Sequence, residues 1–396
     1  MRHPTYRAFF VTSALAMMGD NIEHVISYWI LFERFHSPAL GGIAVLTHWL
    51  PFLLFSVHAG TLADRFDRRR IIQIGAFLFL LVSVAWAALF LTDTIEVWHA
   101  VVLLTVHGLA GVLWSPASQM LVHDIVGGAQ LQSGVRLNAT ARNLGLLLGP
   151  AVGAALMLMM EPALGLLVNI LSFLPLILWL RKAPAAAPRS TTRSASAADF
   201  MRALRAVAGD RTVALMLAVA GASSLFIGTA IQAQMPEFAH DLGAEKADVS
   251  YSVLLAANAA GAFAGGLILE SRNLLPATPR MTIVLAILWC LAITGFAAAT
   301  SYPLAVALML VAGLLNLAFN AMAQTLVQLH APAALRGRLI GLHNMLANGL
   351  RAFSGATVGL LGAVIGVHWS LALSALAMLV VAGVLLAFAT ERGTAS

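Results

Sequence analysis

The chain is nearly without cysteine and poor in charge. Its 396 residues include one cysteine, Cys290, so it cannot close a disulfide on itself or assemble a cysteine-based metal or redox site. Only 10% of residues are charged, against about 25% in a water-soluble domain, which leaves too little polar surface for a soluble enzyme. A Gly-x4-Gly-Lys-Ser/Thr phosphate loop does not occur, so ATP-driven pumping would need another subunit. No cofactor and no catalytic constellation is expected, and the chain reads as something other than an enzyme.

What is there is apolar. Hydrophobic residues make up 60% of the sequence and the mean hydropathy is +0.88. The apolar stretches are repeatedly long enough to cross a bilayer, which takes about 20 residues each. They fall near 8–32, 40–63, 71–92, 97–122, 137–160 and 163–180, then near 212–235, 249–269, 281–300, 302–328, 339–365 and 368–390. The first is too long, and carries too many acids, for a cleavable signal segment, so it is expected to be the first span. Residues 181–211, rich in Ala, Pro, Ser, Thr and Arg, read as a linker with a short amphipathic helix around 199–207. The division expected is therefore 1–180, 181–211 and 212–396.

The net charge of +6 is distributed in short basic clusters between apolar runs, which is a topology signal and not a nucleic-acid surface. With the N-terminus inside, nearly all arginines and lysines between spans become cytoplasmic and only Arg34 and Lys246 stay outside. An even number of spans follows, with both termini in the cytoplasm of a cell whose inner membrane holds the chain.

The two sets of six also repeat. An offset of about 205 residues lays Gly108 on Gly313 and Gln119, Leu121 and Val122 on Gln324, Leu326 and Val327, and nearby offsets lay Arg136 and Gly153 on Arg338 and Gly355. Duplicated halves around a midplane site are a common plan of secondary transporters.

Between the second and third segments stand Gly60, Leu62, Asp64, Arg65, Arg68 and Arg69. This pattern resembles the loop signature of the major facilitator superfamily, with Asp67 where that family usually has glycine. The resemblance implies a cytoplasmic gate made of Gly60, Asp64, Arg65, Arg68 and Arg69. Gly60 would let helices approach closely, and Asp64 would face the positive N-terminus of a helix starting near Arg336 to Leu339. In the fifth segment Gly145, Gly149, Pro150 and Gly153 are similar to the glycine and proline motif of superfamily exporters. The N-terminal stretch, with Gly19-Asp20, Leu50-Pro51 and the loop, looks like the transmembrane secretion effector branch. Where many drug/proton exporters carry an arginine in the fourth segment, His107 precedes Gly108.

The resemblance implies an all-α polytopic membrane protein of about twelve helices in two six-helix halves, acting as an exporter of a small amphipathic molecule. Ionisable residues at membrane depth cost about 2.5–3.5 kcal/mol each, so they are functional candidates. Asp20, Glu23 and His24 share one face of the first helix by their spacing of three and four. Together with Arg351 in the eleventh segment they are the expected proton-coupling set. Asp20, Glu23 and His24 also offer oxygen and nitrogen atoms to a divalent metal, although that set falls short of an assignable site. Arg142 is expected to snorkel.

Trp114, Gln119, Gln232, Asn316, Asn320 and Gln324 are the expected substrate cavity, since in the superfamily fold the first, fourth, seventh and tenth helices line it. Asn316, Asn320 and Gln324 recur every four residues and form one stripe. Alternatives are lysolipid or divalent-metal transport, or a receptor or scaffold that transports nothing. Partners expected are the lipid bilayer, a small molecule and protons, with the chain a monomer.

Overall fold

The structure, a computed structural model, describes residues 4–127, 131–183, 201, 205, 207–242, 247–272, 276–332 and 336–390. Most of the 181–211 linker, including most of its expected helix around 199–207, lies outside these residues.

The first half contributes α1 (Pro4–Phe35), α2 (Pro38–Arg65), α3 (Arg68–Leu91), α4 (Val97–Val126), α5 (Leu131–Met159) and α6 (Pro162–Lys182). The second contributes α7 (Arg211–Phe226), α8 (Ala230–Leu242), α9 (Ala247–Arg272), α10 (Pro279–Ala297) and α11 (Tyr302–His330). It ends with α12 (Arg336–Asn344), α13 (Arg351–Ser354), α14 (Leu361–Ile365) and α15 (Val367–Thr390). An apolar helix satisfies its backbone internally, which is why lipid selects it. Several starts are fixed by side chains that accept from otherwise orphaned N–H groups: Asp67 from Arg69, Asp210 from Val213 and Thr278 from Met281.

Among the described residues eight helices are long and apolar enough to span a membrane, or nine if α7 and α8, bent by 41°, form one span. Three further spans escape that measure for visible reasons. α1 carries Arg7, Asp20, Glu23, Glu33 and Arg34; the side chains of α9 are described only over Val249–Gly265; and the eleventh span is interrupted. Together they complete twelve.

The interruption consists of two π-helical turns, Met345–Gly349 and Gly355–Leu360, on either side of α13. The α7–α8 bend passes through Gly228, whose φ of +47° suits glycine. Neighbouring side chains bond to backbone groups at these breaks. Thr357 Oγ1 donates to the Phe226 carbonyl at 2.9 Å, and Ser224 Oγ donates to the Ala347 carbonyl at 2.7 Å.

The chain divides into two compact units, residues 1–34 with 47–194 and residues 35–46 with 195–396. The first has an apolar core of Ile72, Phe79, Ala110, Trp114, Leu121 and Phe173 among others. In it α4 lies on α2 so closely that a Cβ on Gly108 would strike the His48 carbonyl. In the second unit α11 lies on α9 in the same way, with Gly313 against the Asn258 carbonyl. Small residues at such crossings let backbones touch in the absence of a hydrophobic drive between helices.

Candidate functional site

The face of α1 predicted from spacing is the centre of the first unit. Gly19 lets α1 approach α6, where a Cβ would overlap Ser172, and Asn169 of α6 donates to the Gly19 carbonyl at 2.9 Å. One turn on, Asp20 and Glu23 both reach His107 of α4. Nε2 of His107 lies 2.6 Å from Asp20 Oδ1 and Nδ1 lies 2.6 Å from Glu23 Oε1. The other oxygen of Glu23 accepts from Ser83 of α3. The side chains of His107 and Glu23 are 1% exposed, so the pair has left water and depends on these bonds for its solvation.

Two more imidazoles adjoin the bridge. His24 packs edge-on to His107 at 4.7 Å between ring centroids and to His48 of α2 at 4.5 Å. His48 and His107 stand 5.1 Å apart. The Nδ1–H of His24 donates to its own helix at the Asp20 carbonyl, 2.7 Å away. Tyr28, Phe52 and Phe79 pack on the rings. Spacing along α1 points to Asp20, Glu23 and His24, marks His107 only as a position lacking arginine, and gives no sign of His48. An ionisable side chain beside a helix-contact glycine, as in His107-Gly108, was the available signal.

At the end of the unit carrying the basic loop, Arg68 is buried, pairs with Asp124 of α4 and donates through Nε to the Ala63 carbonyl at 3.2 Å. Arg69 pairs with Asp67 at 2.7 Å and donates to the Ala183 carbonyl. The Arg69 guanidinium, and then its backbone N–H, hold the Asp67 carboxyl below the usual carboxylate range. Asp67 has φ −60° and ψ 112°, extended backbone that requires no glycine, and it serves as the α3 cap. Arg65 is exposed.

Among the described residues, a Cβ on Gly60 would meet nothing within 4 Å. The side chains of Asp64, Arg136, Arg336 and Arg338 lie outside those described.

The glycines of α5 form a ladder on α1. A Cβ at Gly145 would stand 2.6 Å from the Met17 Cβ, one at Gly149 would overlap Asn21, and one at Gly153 would stand 3.2 Å from the Val25 Cβ. Pro150 lies within this continuous helix. Trp114 is buried in the apolar core against Phe79, while Gln119 on the same helix is exposed.

In the second unit Gln232, Asn316, Asn320 and Gln324 are half-buried, and Asn320 Nδ2 donates to the Asn316 carbonyl at 3.0 Å. Arg351, half-buried between the two π turns, donates through Nε to the Ala347 carbonyl at 3.0 Å.

Comparison with known proteins fits this architecture. The family model described as transmembrane secretion effector matches residues 1–395. The chain belongs to that family. Similar solved structures include the nucleoside transporter NupG, at TM-score 0.70 and 13% identity over 97% of this chain and 99% of that one. A D-xylose-proton symporter is similar at TM-score 0.70 and 16% identity, covering 98% and 97%. These likenesses show the major facilitator fold.

Among curated relatives, a staphyloferrin A transporter of Staphylococcus aureus is 23% identical over 150 residues, 38% of each chain. The multidrug efflux pump Tap of Mycobacterium tuberculosis is 27% identical over 163 residues, 38% of this chain and 37% of its own length. The chain thus matches less than two-fifths of the length of these relatives. It is a multi-pass membrane protein of the major facilitator superfamily.

Proposed function

We propose that the chain exports a small amphipathic molecule across the cytoplasmic membrane by alternating access, with protons as the driving ion and both termini in the cytoplasm. The observation that carries this reading is the Asp20, Glu23 and His107 centre enclosed among the helices of the first unit. Charged side chains at such depth are retained where ions or substrates pass.

Export as the direction is supported by the α5 glycine ladder with Pro150 and by the match to a relative named as a multidrug efflux pump. The half-buried amides Gln232, Asn316, Asn320 and Gln324, with Gln119, are the polar groups we assign to cargo, and Arg351 is assigned to coupling. The Gly60 to Arg69 segment is assigned to gating. Orientation follows the arginine and lysine distribution.

The test is transport in proteoliposomes of fixed orientation under an imposed pH gradient, after a ligand screen by thermal shift across siderophores, antibiotics and lysolipids. Cargo movement should be coupled to proton movement, and Asp20→Asn should abolish that coupling while leaving membrane insertion intact. Gradient-independent equilibration of cargo by the unmodified chain would defeat the reading.

A further inference from the structure

The centre of the first unit holds more ligand atoms than a carboxylate pair needs. His24, His48 and His107, from three different helices, each offer a ring nitrogen, and these atoms lie within 4.8 Å of one another. His48 and His107 are buried and His24 is half-buried. A histidine in an apolar helix bundle is ordinarily a core residue with one hydrogen bond. Three features set this group apart.

The first is the anchoring of the rings. His24 commits Nδ1–H to the Asp20 carbonyl, which leaves Nε2 with its lone pair. His107 commits Nδ1 to Glu23, itself held by Ser83, which leaves Nε2 to face Asp20. A metal-binding histidine characteristically gives its second nitrogen to a carbonyl or carboxylate, fixing ring orientation and raising ligand basicity. Both arrangements are present here on neighbouring rings.

The second is stoichiometry. Asp20 Oδ1, 2.6 Å from His107 Nε2, supplies an oxygen beside three imidazole nitrogens. Three nitrogens and one oxygen make a tetrahedral set for a Zn2+-like cation, whose bonds of about 2.0–2.1 Å put ligand atoms roughly 3.3 Å apart. A spread of 4.8 Å reaches that spacing by small side-chain rotations, with a cation replacing the His107 to Asp20 bond.

The third is the frame. The contact of Gly108 with the His48 carbonyl fixes α4 against α2 at His48 and beside His107, and Tyr28, Phe52 and Phe79 pack on the rings. A ligand set on packed helices is preorganised, and an apolar shell controls the access of water to it.

We propose that His24, His48, His107 and Asp20 form a binding site for one divalent transition-metal cation, oriented by Glu23 and the Asp20 carbonyl. Imidazole ligands favour Zn2+, Co2+, Ni2+ and Cu2+ over Mg2+ and Ca2+, which prefer all-oxygen sets. The inference goes beyond the export reading and does not depend on it, because binding is measured without transport.

The experiment uses the full chain, purified in detergent, stripped with chelator and titrated with Co2+ in the visible range, with Zn2+ measured by competition. The expected result is a saturable tetrahedral cobalt spectrum at about one equivalent, displaced by Zn2+ and not by millimolar Mg2+. X-ray absorption of the Zn2+ form should show a nitrogen-rich shell with outer imidazole scattering. His48→Gln and His107→Gln should each weaken Zn2+ binding by at least about 100-fold. Glu23→Gln, which touches no cation, should weaken it by about 10–100-fold.

An oxygen-only shell in the unmodified chain, absence of a saturable cobalt band, or unchanged affinity in a folded His48→Gln variant would each overturn the proposal. The absorption measurements need no variant, so a substitution that fails to fold leaves the proposal decidable. Loss of proton-coupled transport with retained metal binding would sink the export reading alone.

Discussion

Gly108 of α4 and Gly313 of α11 do the same work in the two halves of the chain: each lies against a backbone carbonyl of the second span of its own half, His48 and Asn258 respectively. The repeat visible in the sequence is thus a repeat of a helix crossing. In the first half the crossing also carries the ionisable centre; in the second its counterpart carries amides.

The crossing should be sensitive to one added methyl. Gly108→Ala and Gly313→Ala each push a Cβ into backbone that cannot yield cheaply, and overpacking of this kind costs about 1–3 kcal/mol. Gly60→Ala, which meets none of the described residues, should cost no stability. Thermal unfolding followed by size-exclusion chromatography in detergent compares the three.

Removing the bridging imidazole should cost more than removing a carboxylate. His107→Leu strands Asp20 and Glu23 together in a buried place, and uncompensated buried charge costs about 3–5 kcal/mol. Adding Asp20→Asn and Glu23→Gln to His107→Leu should recover part of that loss. If the triple variant is no more stable than His107→Leu, charge is not what the imidazole balances.

Arg68 and Arg65 are close in sequence and far apart in consequence. Arg68→Ala leaves the carboxylate of Asp124, 13% exposed, without this partner, and should destabilise by about 3–5 kcal/mol as broken buried pairs do. Arg65→Ala, at an exposed position, should stay within about 0.5 kcal/mol. Chemical unfolding of both variants in one detergent makes the comparison.

Asp67 gives a pH signature. Its carboxyl is held below the ordinary range by Arg69, so its contribution is complete above the unfolded value of about 3.9. It fades as pH falls through the lower folded value. Asp67→Ala should cost about 0.5–2 kcal/mol at neutral pH as a lost helix cap. The difference from the unmodified chain should shrink below about pH 4. A gap that is constant from pH 7 to pH 3 would show that the carboxylate charge is not involved.

The fold was legible because lipid imposes a simple rule on sequence: long apolar stretches, arginines between them and glycines where helices cross. The site was legible only along one helix. Asp20, Glu23 and His24 announce themselves by spacing within a turn, whereas His107 reaches Asp20 from 87 positions away, and no periodicity records such a contact. His48 is harder still, a lone imidazole among apolar neighbours whose meaning comes from the Gly108 crossing. Trp114, whose residue type points to a cavity wall, packs against Phe79 in the apolar core, a contact that residue type alone does not announce. The π turns around Arg351 had no sequence signature, because Gly349 and Gly355 serve equally in an unbroken helix.

Those π turns have a consequence for Arg351. A π turn holds one residue more than an α turn does, and an α-helix advances about 100° per residue. If one wide turn tightened while the other widened, the segment between them would swivel by that angle and both ends of the span would keep their register. Arg351 sits on that swivel. The guanidinium can then be re-aimed by a sliding defect within one helix, a movement smaller than the rocking of a whole half.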